Sequence, residues 1–127
     1  MLRVLIADDS REIRSRLVDL VSDAQGVQVV REAGDGTEVL DAIAETEIDA
    51  LILDIKMPKM SGIKVLERLQ QSGELPETVI VLTAFPTPQY RRRCLELGAD
   101  YFLDKTSEYD QLAELLQAAR DAGEDEA

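Results

Sequence analysis

Histidine is absent from this sequence. That absence removes the Ser–His–Asp and Cys–His nucleophile systems, in which an imidazole must take up a proton. Cysteine is nearly absent too. Cys94 stands alone, so no internal disulfide can form, which fits a reducing compartment. One cysteine without histidine also excludes the ordinary zinc ligand sets, and Cys94 itself reads as a small hydrophobe buried on a helix. Long apolar runs are missing, because charges break each one well short of a membrane span. The first residues run straight into a strand pattern with no signal peptide, so a cytoplasmic location is expected. Positive charge is scarce: 14 Lys and Arg face 26 Asp and Glu, for a net charge of −12. A surface of that sign repels phosphate backbones and anionic membranes. Neither direct nucleic-acid binding by this chain nor membrane binding is therefore expected. Chemistry is left to carboxylates, lysine, hydroxyls and an oxygen-seeking ion such as Mg²⁺.

What is present is a regular alternation. Within 127 residues, the size of one ordinary domain, short runs rich in Val, Ile and Leu occur at 4–7, 27–30, 50–53, 79–82 and 101–103. They read as strands, the middle three as buried on both faces. Helical stripes lie between and after them: Ile13, Leu17, Leu20 and Val21; Val39, Leu40 and Ile43; Val65, Leu66 and Leu69; Tyr90, Cys94 and Leu97; Leu112, Leu115, Leu116 and Ala119. Asp9 or Ser10 can cap the first helix, Ser61 the third, and Thr87 before Pro88 the fourth. Ser107 with Asp110 resembles a capping box for the fifth. Gly26, Gly73 and Gly98 follow helices, where a left-handed residue is wanted. The expected fold is α/β, a doubly wound parallel sheet of five strands with five helices. The folded domain is expected over residues 1–120, and 121–127 as an acidic tail or the start of a linker.

In such a sheet all strands point one way, and ligands bind beyond their C-terminal ends. The first strand ends at Asp8 and Asp9, the third at Asp54, the fourth at Thr83 and the fifth at Asp104 and Lys105. If the first, third, fourth and fifth strands are neighbours, carboxylates, a hydroxyl and an ammonium meet at one crevice. Clustered carboxylates repel, and at least one pKa rises unless a cation sits among them. A hard divalent ion relieves the repulsion and keeps open positions for phosphate oxygens. A carboxylate beside that ion can attack phosphorus and become an aspartyl-phosphate. Each residue also has an ordinary explanation: Asp9 as a helix cap, Asp54 as a turn residue, Thr83 as a satisfied strand hydroxyl, Lys105 as a solvated lysine. Those explanations weaken together, since all the groups fall on the same edge.

These residues and spacings resemble the receiver domain of two-component response regulators, over roughly residues 2 to 120. The matching motifs are ADDS at 7–10, LILDIKMPKMSG at 51–62, VLTAF at 81–85 and GADYFLDK at 98–105. The resemblance implies the flavodoxin-like strand order 2-1-3-4-5 and a receiver domain over 1–120. It implies a phosphorylation-dependent switch and not an enzyme, though one that assists its own phosphorylation and dephosphorylation. Asp54 would accept a phosphoryl group from a sensor histidine kinase or phosphotransfer protein. Asp8 and Asp9 would hold Mg²⁺ with Asp54, one of the pair directly and the other through water, and the Lys56 backbone carbonyl would be a further ligand. Thr83 would be the switch hydroxyl, Lys105 the phosphate-pairing lysine, and Phe102 the aromatic that swings inward. Thr106 stands where the family usually carries proline after the lysine, so an all-trans turn is expected, with Thr106 and Ser107 as caps. Lys56 and Phe85 occupy two variable positions that help set phosphate lifetime, and Phe85 is expected to shield the acyl phosphate from water.

The resemblance further implies an output surface of the fourth helix, fifth strand and fifth helix, through which a second copy or an output protein would bind. Arg91, Arg92 and Arg93 on the fourth helix are either a solvated face or partners for acids across that interface. Past the fifth helix the residues read only as an acidic tail, and no helix-turn-helix or catalytic pattern is expected within them. The chain therefore reads as a stand-alone receiver or as the N-terminal receiver module of a longer DNA-binding response regulator. A small Mg²⁺-dependent aspartyl phosphatase is a rival. That family typically carries Asp-x-Asp where this chain has Asp8-Asp9-Ser10, and it usually carries additional cap segments.

Overall fold

The computed structural model describes residues 1–126. Strands β1 (Leu2–Ala7), β2 (Val27–Ala33), β3 (Ala50–Leu53), β4 (Thr78–Thr83) and β5 (Tyr101–Asp104) form one parallel sheet in the order β2-β1-β3-β4-β5. Helices α1 (Arg11–Ser22), α2 (Gly36–Glu45), α3 (Gly62–Ser72), α4 (Pro88–Glu96) and α5 (Leu112–Glu126) alternate with the strands, and a 3-10 turn, Tyr109–Gln111, leads into α5. This is the expected flavodoxin-like arrangement.

Because successive strand side chains point to opposite faces, each interior strand feeds two cores. Leu5, Ala7, Leu51, Leu53, Val79 and Val81 pack with Val39, Ala42, Val65, Leu66, Leu69 and Cys94 of α2, α3 and α4. Val4, Ile6, Ala50, Ile52, Ile80 and Leu82 pack on the other face with Leu17, Val21, Leu112 and Leu116 of α1 and α5. Each fully buried Leu or Ile contributes about 1.5–3 kcal/mol relative to exposure, so the interior strands are rigid supports for whatever their ends carry.

The sequence reading requires three corrections. The strands covered on both faces are β1, β3 and β4, whereas β2 is partly exposed along most of its length. The order of strands puts β2 at an edge, and it continues beyond the apolar run through Arg31 and Glu32. Ser107 is not a helix cap. The turn after β5 is organised instead by Asp104, whose carboxylate accepts from the Thr106 amide at 2.9 Å and the Thr106 hydroxyl at 2.7 Å, and by Glu108, which accepts from the Asp104 amide at 3.0 Å. All peptide bonds there are trans, as expected. Finally, residues 121–126 are helical and extend α5. Ala118, Ala119 and Ala122 are strong helix formers, and Gly123 lowers propensity by about 1 kcal/mol without ending the helix. Ala127 lies outside the described residues.

The helix starts are as the sequence reads. Ser10, Ser61 and Thr87 each accept from the amide three residues on, at 3.2 Å, and Pro88 opens α4. The choice between Asp9 and Ser10 is settled in favour of Ser10, which leaves the Asp9 carboxylate free for another purpose. Gly26, Gly73 and Gly98 all have positive φ.

Candidate functional site

The parallel ladder continues one residue past the strands. The Asp54 amide donates to the Ala7 carbonyl at 3.0 Å, and the Asp8 amide to the Ala33 carbonyl at 3.0 Å. Backbone pairing, the most rigid part of the molecule, thus sets Asp8 and Asp54 side by side. One carboxylate oxygen from each of Asp8, Asp9 and Asp54 lies within 4.8 Å of the others. Asp8 and Asp54 are buried at 1% and 5% exposure, while Asp9 is exposed.

Lys105 joins them from β5. Its Nζ donates to Asp8 Oδ2 at 2.6 Å and to Asp54 Oδ2 at 3.0 Å. Its own amide donates to the Thr83 carbonyl at 2.8 Å, so β4 positions the lysine backbone. One ammonium therefore faces two buried carboxylates. Burial pushes the Asp54 pKa up, and the Lys105 hydrogen bond only partly opposes it. For Lys105, burial pulls the pKa down, but hydrogen bonds and charges from Asp8 and Asp54 outweigh it, and the net direction is up. The site holds surplus negative charge with too few cations.

Oxygen donors alone, two buried and one open to solvent, fit a hard divalent ion that retains waters. Asp8 is already engaged at both oxygens, Oδ1 by the Ser10 amide at 2.9 Å and Oδ2 by Lys105. Among the described residues no hydrogen bond holds the Asp9 carboxylate or the Lys56 carbonyl.

Thr83 ends β4, fully buried, and its hydroxyl accepts from the Phe85 amide at 3.0 Å. It makes no hydrogen bond to Asp54. Phe102 already faces inward, 7% exposed, in the core beneath α4. Phe85 is 48% exposed, and the Lys56 ammonium lies 4.7 Å from its ring centroid and 5.9 Å from that of Tyr90. Lys56, Met57, Pro58, Tyr90 and Asp9 line an open groove of about 650 Å³ beside the acids.

The arginine triplet divides. Arg93 pairs with Glu67 of α3 at 3.0 Å, Arg91 reaches the Phe102 carbonyl at 3.5 Å, and Arg92 is exposed. The sequence left the triplet as a solvated face or as partners for acids across an interface; within the molecule, α3 and β5 already supply acceptors for Arg93 and Arg91, and Arg92 faces solvent.

Gly62, which closes the motif at 51–62, is the first residue of α3, and a Cβ there would run into the Asp54 carbonyl oxygen; the sequence marked the residue but not this contact. One contributor escaped the sequence reading. Arg14 donates from Nη1 to the Asp8 carbonyl at 2.6 Å. Its only sequence signal is its place one turn after the N-cap, from which a long side chain points back toward the helix start.

A family model described as the response regulator receiver domain matches residues 4–117. The chain is 40% identical over 107 residues to a protein-glutamate methylesterase/protein-glutamine glutaminase from Methanospirillum hungatei, covering 83% of this chain and 31% of that protein. It is 38% identical over 117 residues to the uncharacterized transcriptional regulatory protein YvfU of Bacillus subtilis, covering 92% of this chain and 58% of that protein. The chain thus spans less than two thirds of either curated relative. Among solved structures it is similar to the response regulator domain of Thermotoga maritima CheB, with 30% identity, 96% of each chain covered and a TM-score of 0.82.

Proposed function

The chain belongs to the response regulator receiver domains of two-component systems, and on that premise we propose that Asp54 accepts a phosphoryl group from a phosphohistidine on a sensor histidine kinase or phosphotransfer protein. The observation that carries this reading is the convergence of Asp8, Asp9 and Asp54 with Lys105 at one sheet edge. In the step, an Asp54 carboxylate oxygen attacks phosphorus. The P–N bond breaks, its electron pair stays on the imidazole nitrogen, and an acyl phosphate forms. The groups that would hold Mg²⁺ are Asp8, Asp9, Asp54 and the Lys56 carbonyl; the ion supplies positive charge to the phosphoryl oxygens. Lys105 transfers its hydrogen bond from Asp54 Oδ2 to a phosphoryl oxygen. Thr83 turns its hydroxyl from the Phe85 amide to another.

That turn would pull on β4 and α4. Phe102, already packed inward, would pass the movement on by repacking within the core. The output surface in this reading is α4, β5 and α5, where Leu95 and Tyr101 are each 40% exposed, and it would meet a second copy or an output protein. A second reading makes the chain the receiver module of a longer regulator. It is favoured by the 31% and 58% coverage of the two curated relatives, one of which is named a transcriptional regulator.

The test is incubation with Mg²⁺ and a small acyl-phosphate donor, followed by intact-mass measurement and mapping. One phosphoryl group on Asp54 is expected, absent in Asp54→Asn and after chelation of divalent ions. Labelling that survives Asp54→Asn, or runs to completion without a divalent ion, would sink the proposal.

A further inference from the structure

Arg14 stands on α1 beside the acid cluster, yet it touches neither oxygen of the Asp8 carboxylate. Its side chain is 17% exposed. Nη1 donates to the Asp8 backbone carbonyl at 2.6 Å, and Nε donates to Glu32 Oε1 on β2 at 3.1 Å. The guanidinium fork is thus fixed at two edges, and a planar cation held this way loses little further freedom. Gly34 borders it: a Cβ there would stand 3.3 Å from Arg14 Nη1, closer than a side chain comfortably approaches. The space Arg14 occupies therefore depends on a glycine two residues along from its own acidic partner.

What the arginine holds is the peptide between Asp8 and Asp9. Upstream, the Asp8 amide is tied to the Ala33 carbonyl at 3.0 Å. Downstream, the Ser10 amide is tied to Asp8 Oδ1 at 2.9 Å. Between these anchors the carbonyl of Asp8 could tilt, and Arg14 fixes it. The consequence falls on Asp9. Its carboxylate is exposed and no hydrogen bond among the described residues aims it. Its direction is inherited from the peptide plane that precedes it.

We propose that Arg14 is a positioning residue which, by clamping the Asp8 carbonyl, aims the Asp9 carboxylate at the site shared with Asp8 and Asp54. This rests on the proposed Mg²⁺ site. It makes the acid pair a device of three parts: a buried carboxylate held by Lys105 and Ser10, an exposed carboxylate held by nothing of its own, and a guanidinium that supplies the missing orientation through the backbone.

A rival account is purely electrostatic. A positive charge near the cluster repels a cation, and its removal would tighten Mg²⁺ binding. The two accounts predict opposite signs, and lysine separates them, since it keeps the charge but cannot hold both acceptors as a fork. Isothermal titration of the full chain with MgCl₂ would read the Kd for wild type, Arg14→Gln, Arg14→Lys and Gly34→Ala, with thermal melts of each. Both Arg14 variants are expected to weaken Mg²⁺ about tenfold, the low end for loss of an outer-sphere partner. Gly34→Ala, which alters no charge, is expected to weaken it in the same direction by crowding the guanidinium, and it carries the test if an Arg14 variant does not fold. A merely structural arginine would lower the melting temperature and leave Kd in place. Unchanged Kd in the variants would overturn the proposal, as would tighter binding in Arg14→Gln with wild-type binding in Arg14→Lys. A wild-type chain that binds no Mg²⁺ would overturn the site reading together with it, so the two failures are distinguishable.

Discussion

Asp54, the proposed phosphoacceptor, is held at a cost to the fold. It is buried beside Asp8, and the two share one ammonium. Burial raises its pKa above the ordinary value of 3.8. A carboxyl group whose pKa is raised on folding stabilises the protein most fully below its unfolded pKa. That contribution is lost as pH rises through the folded pKa. At neutral pH the ionised Asp54 therefore works against stability, which is consistent with a group kept for its chemistry. Asp54→Asn leaves Lys105 matched to Asp8 alone and removes the surplus charge. We expect it to stabilise the fold at pH 7 by roughly 1 kcal/mol, the lower end for replacing buried ions by neutral groups. The gain should shrink as pH falls toward 3.8. Denaturant titrations of both proteins at several pH values would measure it, and a variant less stable than wild type at pH 7 would contradict the argument. Cys94 is the complementary case. It is fully buried, and burial pushes its thiol up to about 11, which favours packing over thiolate chemistry.

Elements and the loops between them decide how tightly that chemistry is enclosed. The loop from β3 to α3 is fixed at both ends. Gly62 lets the helix start against the Asp54 carbonyl, and Lys59, at φ 67° in the left-handed region, lies 3.6 Å from the Asp35 carboxylate that caps α2. Hydrogen bonds from Thr37 and the Glu38 amide lower the Asp35 pKa to about 2, so that cap stays charged at neutral pH. Across the groove, Lys56 rests on Phe85 and Tyr90. Such contacts are worth about 0.5–1 kcal/mol at exposed sites, so Phe85→Ala should speed hydrolysis of the Asp54 phosphate by about two- to fivefold by opening the loop to water. Phosphate loss followed by mass after donor removal would measure this, and an unchanged rate would show that Phe85 shields nothing. Most of this level was readable in the sequence, because caps and apolar periodicity are local: Ser10, Ser61 and Thr87 act as their positions imply. The acids and Lys105 were readable for a related reason, since the residue after each strand must fall on the same edge. What escaped depends on partners distant in the chain. The exposure of β2 follows from its place in the sheet order, the pairing of Arg93 with Glu67 follows from α3 lying beside α4, and the reach of Arg14 to a backbone carbonyl has no sequence pattern.

At the scale of the whole molecule, the sheet separates two cores, and the site lies where both end. Val81 faces the core beneath α4 and Leu82 the core beneath α5, so the end of β4 bears on both. Thr83 follows directly, fully buried, with its carbonyl on the Lys105 amide and its hydroxyl on the Phe85 amide. It is the point at which a new anion on Asp54 could draw on α4 and β5 together. Phosphorylation would add negative charge to a chain already at −12, so a general electrostatic loosening is the alternative to a directed shift. The two differ in extent. A directed shift changes hydrogen-exchange protection over residues 84–104, by about tenfold for a coupling within the usual 1–3 kcal/mol. It leaves α2 largely as it was, since α2 packs chiefly against β1, β2 and α3. Thr83→Ala should still be phosphorylated on Asp54 but should lose the change over 84–104, because the hydroxyl that links the phosphate to β4 is gone. Hydrogen exchange on wild type and Thr83→Ala, each with and without the acyl-phosphate donor, distinguishes the cases. If protection changes evenly across the chain, or equally in the variant, the phosphate acts through bulk charge and not through the strand that ends at Thr83.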